Sequence, residues 1–154
     1  MARSITSWLS GPESANPGAP SGYPGEALGL PEDGSRSLAR TGRRFSALLL
    51  DWLIGYGLAA LAMELGLFSA GLLSTAVLVI WFVIGAVSVR LFGFTPGQFA
   101  LGLLVVPVDA RLHVGFGRAV VRGLLLALVI PALFMDVDGR GLQDRFTFTA
   151  VVRR

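Results

Sequence analysis

The sequence predicts a mainly α-helical membrane protein: two transmembrane helices, a third and shorter apolar helix, a short amphipathic surface helix, a small β pairing and a disordered amino-terminal tail. Three observations lead there. Of 154 residues, 53% are hydrophobic and 15% charged, with a mean hydropathy of +0.68, far from the balance of a soluble domain. Two apolar runs are long enough to cross a bilayer core. A carboxylate, Asp51, lies inside the first of them, where a charge costs roughly 2.5–3.5 kcal/mol on insertion scales. Such a residue calls for a partner or a task.

Residues 1–42 are rich in Pro, Gly and Ser and lack apolar periodicity. They read as a disordered tail, too poor in buriable surface to offset the entropy of ordering. The apolar patch near Ile5 is too short and broken for a signal peptide. Tyr23 between prolines offers a docking point for an unidentified protein partner, or is a plain solvated residue. The remainder, 43–154, forms the membrane domain. Its first helix covers residues 45–63, 19 residues, preceded by Arg36, Arg40, Arg43 and Arg44. Its second covers about 69–91 and ends with Arg90. The link 64–68 carries no basic residue. The positive-inside rule therefore sets a multi-pass protein of the plasma (inner) membrane, with the amino terminus in the cytoplasm.

After the second helix comes FTPGQFAL. Thr95 suits the N-cap, Pro96 the first helical position, and Gln98 the third member of a capping box. A short surface helix should start there and stop near Gly102. The following LLVVPVDARLHV and the segment FTFTAVV at 146–152 have strand character. They would satisfy each other's backbone groups by pairing, which requires both on one side of the membrane. The third apolar stretch, 119–135, bears on that requirement. Its uncharged part after Arg122 is 13 residues long and contains Pro131, short for a span. A re-entrant helix keeps Arg140, Arg145, Arg153 and Arg154 in the cytoplasm; a plain third span places them outside. Both readings stay open.

The pieces RRFSALLLDWL, FTPGQFALGLLVV, GRAVVRGLLL and GLQDRFTFTAVV, in that order, resemble the RDD family of small bacterial membrane proteins. The resemblance covers about Arg43 onward, and the Pro/Gly-rich tail is similar to that of actinobacterial members. It implies that the signature arginine is Arg44, that the two aspartates are Asp51 and Asp144, and that Thr95, Pro96 and Gly97 form a TPG element. Gln98 stands where the family often has Lys, and Gln143 where it often has His, so an imidazole proton shuttle has no counterpart here. The activity implied is transport of ions or small solutes, with cation–proton exchange among the proposals.

Read as residues, Arg44 and Asp51 are seven apart and share a helix face, with about 10 Å of rise between them. That face also carries Ala47, Gly55 and Ala59, a small-residue ridge that lets another helix approach. Arg122, on the same face of its helix as Arg118, is the expected partner of Asp51, and Asp144 that of Arg44. Two functions compete: transport of a cation, proton or small solute, or a scaffold or assembly role in which the Arg–Asp pairs fix helix register. Two spans in one copy hardly enclose a path, so transport implies a homo-oligomer in membrane lipid. No internal repeat appears. Neither an enzyme nor a nucleic-acid binder is expected, because the arginines flank apolar segments and no nucleophile–base pair, phosphate loop or metal cluster is evident. No cofactor is expected. DVDGRG at 136–141 echoes part of a calcium loop without its downstream Glu. His113 beside a turn, Glu64 at a helix end, and Trp52, Trp81 and Tyr56 within the spans have ordinary structural explanations.

Overall fold

The structure, a computed structural model, describes residues 22–109, 112–128 and 141–154. Helix α1 (Thr41–Glu64) and helix α2 (Leu73–Phe92, entered through a 3₁₀ turn at Ala70–Leu72) are the two long elements. With the 3₁₀ turn they have mean hydropathies of 1.7 and 2.5. At 1.5 Å per residue each exceeds the roughly 30 Å of a bilayer's hydrocarbon core. Leu49, Leu53 and Leu61 on α1, with Val79, Val83 and Leu91 on α2, point outward and exposed. An apolar surface of that extent suits lipid and not water.

The two helices meet through the predicted ridge: Ala47, Gly55 and Ala59 are the buried residues of α1. Trp81 lies directly over Gly55, where a Cβ would come within 3.0 Å of the Trp81 Cβ. The Trp52 and Trp81 rings stack beside it at 5.9 Å. Small residues at the crossing give the van der Waals closeness that helix pairs need where lipid removes the hydrophobic incentive.

Helix α2 ends at Gly93, whose φ of 76° and N–H to Val89 form a left-handed cap. Helix α3 (Pro96–Ala100) then packs back on α1. Its Gly97 and Gln98 are buried. Strand β1 (Leu103–Pro107) follows. Helix α4 (Phe116–Ala127) packs on α2, and helix α5 (Leu142–Phe146) leads into strand β2 (Thr149–Arg153). The predicted pairing forms: β1 and β2 are antiparallel, with Val105 opposite Val151. The expected strand 146–152 starts later, because Phe146 closes α5 and Phe148 turns the chain with a φ of 51°.

Strand alternation sorts the core into two faces. Leu103, Val105 and Val151 join Ala47, Val89 and Ala119 under the helices. Ala150 and Val152 point the other way, onto Leu28, Leu30 and Leu38. This second cluster draws in residues of the segment 1–42, which the sequence reads as a disordered tail. From residue 22 onward the tail packs on the sheet: Leu38 bridges Val152, the Arg36 N–H donates to the Arg153 carbonyl at 2.8 Å, and Ala39 to Val151 at 2.9 Å. The tail borders β2 on the edge that β1 leaves open, and so blunts it. Residues 1–21, the later part of the third apolar stretch including Pro131, and the acidic part of DVDGRG lie outside the described residues.

Candidate functional site

Arg44 is in the first turn of α1, and helical side chains lean toward the helix N-terminus. Its guanidinium therefore reaches away from Asp51. Nε donates to the Ala39 carbonyl at 2.9 Å, Nη2 to the Val151 carbonyl at 3.2 Å, and Nη1 to Asp144 Oδ2 at 3.0 Å. The other Asp144 oxygen, Oδ1, accepts from Arg122 Nη1, which also donates to Thr149 Oγ at 3.2 Å. Asp144 is fully buried and Arg122 nearly so. One carboxylate thus joins two guanidinium groups, tying α1, α4, α5 and β2 at a single point. Thr147 and Thr149 complete it: their hydroxyls lie 2.9 Å apart, and that of Thr147 donates to the Gln143 carbonyl at 2.7 Å.

Asp51 sits elsewhere. Its Oδ2 accepts from the Thr95 hydroxyl at 2.5 Å and its Oδ1 from the Gly97 N–H at 2.7 Å. Thr95 in turn caps α3 as predicted, accepting from the Gln98 N–H while the Gln98 side chain accepts from the Thr95 N–H. A carboxylate aimed at the free N–H groups of a helix start is a favourable pairing. The expected Asp51–Arg122 pair is therefore not made; Arg122 joins Asp144, and the expected Arg44–Asp144 pair is present beside it. Asp51 is the residue that fastens the TPG turn to α1.

Gly97 makes this close approach possible. A Cβ there would fall on the Ala47 carbonyl oxygen and come within 3.0 Å of the Asp51 carboxyl carbon. Thr95 is the complementary anchor. Thr95→Val should cost about 1–2 kcal/mol through the lost cap and carboxylate bond, whereas Thr95→Ser should stay near wild type; thermal unfolding in detergent separates the two.

Helices α1 and α4 both pack on α2, and a cavity of about 70 Å³ lies between them. Arg44, Asp51, Arg122, Thr95, Gln98 and Gln143 supply its polar lining; Phe45, Leu48, Phe82, Val89 and Leu126 are among its apolar walls. Three of the four charged residues singled out in the sequence thus border one space, and Asp144 stands behind it. The sequence reading missed Thr147 and Thr149 as polar partners, although the alternation in FTFT puts both on one face. It also took Gln143 only as a lost histidine. Gln143 is 6% exposed, and its Oε1 has no hydrogen-bond partner among the described residues. Elsewhere on α4, Arg118 pairs with Asp109 at 2.8 Å and lies over the Phe148 ring.

No curated protein and no solved structure gives a match to the chain. The RDD family model matches residues 38–147, from the strand-edge segment before α1 to Thr147 after α5. That range holds both apolar helices, Arg44, Asp51, the TPG turn and Asp144, and this membrane protein belongs to the RDD family.

Proposed function

We propose that the protein is a multi-pass protein of the plasma membrane, amino terminus in the cytoplasm, that takes a small solute into the cavity between α1 and α4. Its Arg–Asp contacts frame that site and do not carry ions. One observation supports this most: both oxygens of Asp51 and both of Asp144 are engaged in bonds to protein, yet the space bordered by Asp51, Arg44 and Arg122 stays open. These bonds hold the carboxylates in place as a frame requires, and a carrier would have to loosen such bonds in every cycle of loading and release. The hydrogen bonds joining residues 36–39, β1 and β2 favour a carboxyl end on the amino-terminal side, with the third apolar stretch re-entrant. The cavity is small, so passage across the membrane implies a homo-oligomer.

A second reading is cation–proton exchange with Asp51 as carrier, favoured by the place of Asp51 on the cavity wall. Liposomes with an internal pH dye, under imposed Na⁺ or K⁺ gradients, distinguish the two. The framing role predicts no cation-driven proton movement in wild type or in Asp51→Asn. Flux in wild type that disappears in a well-folded Asp51→Asn would establish the exchanger.

A further inference from the structure

We propose that the cavity binds the anionic group of an acyl-chain amphiphile: a carboxylate or phosphate held by the arginines, with its chain along the apolar walls. The proposal rests on the cavity being the solute site and names what enters it. Charge is the first reason. Arg44 and Arg122 share the single carboxylate of Asp144, so this buried cluster holds two positive charges against one negative. Among the described residues, the other charged one on the cavity lining is Asp51. Its described bonds go to Thr95 and Gly97 and not to either guanidinium. Excess charge out of water is costly until a counter-ion reaches it.

Donor and acceptor geometry is the second reason. Both described bonds of Arg122 leave from Nη1, so Nε and Nη2 have no described partner. A guanidinium edge of this kind matches an oxyanion with two parallel bonds. Gln143, more than nine-tenths buried and on the same lining, keeps its Oε1 unpartnered among the described residues. A hydroxyl on the head group, or a protonated acid oxygen, would donate to it. An unsatisfied buried acceptor is costly, and a ligand that meets it recovers that cost.

Shape is the third. A cavity of about 70 Å³ has room for an oxyanion and not for a whole lipid. The rest of the molecule must leave past Phe45, Leu48, Phe82 and Leu126, which offer contact to methylenes and nothing to a hydrated solute. Gly85 on α2 keeps part of this space clear, for no atom lies within 4 Å of where its Cβ would stand.

The test is native mass spectrometry of the full chain from non-ionic detergent. The probes are phosphatidylglycerol and phosphatidylcholine with identical chains, with inorganic phosphate alone as a third. We expect one phosphatidylglycerol per chain, retained about tenfold over phosphatidylcholine. Gly85→Leu should abolish that preference while its melting temperature stays equal or rises, since the side chain fills the cavity and Leu suits a helix better than Gly. Equal retention of both lipids, lost in Gly85→Leu, overturns the anionic preference but leaves the cavity as a solute site. Binding of inorganic phosphate with no lipid preference overturns the acyl-chain part in the same way. Lipid retention that Gly85→Leu does not change overturns the proposal and the cavity reading together.

Discussion

Asp144→Asn is expected to be the most damaging conservative substitution in the chain, costing about 3–5 kcal/mol. It preserves shape and removes the one negative charge between two buried guanidinium groups. Breaking a buried ion pair from one side is costly because the remaining charge stays desolvated, and here two charges remain and repel each other. Arg44→Gln or Arg122→Gln should each cost less, about 2 kcal/mol, because Asp144 keeps its other partner. The order of damage, Asp144 above either arginine, distinguishes a shared carboxylate from two separate pairs. Reversible unfolding in mixed detergent reads it directly, and expression yield gives a coarse check.

Gly97→Ala carries the second large effect, about 3 kcal/mol of overpacking. The added methyl meets the Ala47 carbonyl oxygen, a backbone atom that can move only with helix α1, and the Asp51 carboxyl carbon at 3.0 Å. Docking of α3 on α1 should fail, and with it both bonds that hold Asp51. Gly57→Ala is the control. It lies on α1 with no atom within 4 Å of its Cβ position, so the change should be neutral or stabilising by up to about 1 kcal/mol. Comparable losses at both positions would mean that the packing of α3 on Ala47 is not what Gly97 protects.

Much of the architecture is legible in the sequence because its determinants are local. Thr95, Pro96 and Gln98 specify a cap within four residues, and the cap forms as written. Hydropathy gives α1 and α2, and the i, i+4 ridge of Ala47, Gly55 and Ala59 gives the buried face. The β-branched runs give the pairing of β1 with β2. The charged partners were half legible. A spacing of seven puts Arg44 and Asp51 on one face, but it does not say that Arg44 leans back toward Ala39 and Asp144 while Asp51 meets the start of α3. That is settled by side-chain direction and by a helix 44 residues away in the chain. The packing of Leu28, Leu30 and Leu38 on the sheet is not legible for a related reason. Composition averages over Leu28, Leu30 and Leu38, three residues scattered among Pro, Gly and Ser, whereas the outer face of the sheet collects them one at a time.

The pairing scheme itself is best measured with two double-mutant cycles sharing Arg122→Gln, one with Asp144→Asn and one with Asp51→Asn. Unfolding free energies of the single and double variants give each coupling. A shared carboxylate at Asp144 and a separate capping role for Asp51 require a 122–144 coupling of about 2 kcal/mol or more and a 122–51 coupling within about 0.5 kcal/mol of zero. A large 122–51 coupling with little between 122 and 144 would place Asp51 in the arginine cluster, and the frame described here for the cavity would be wrong.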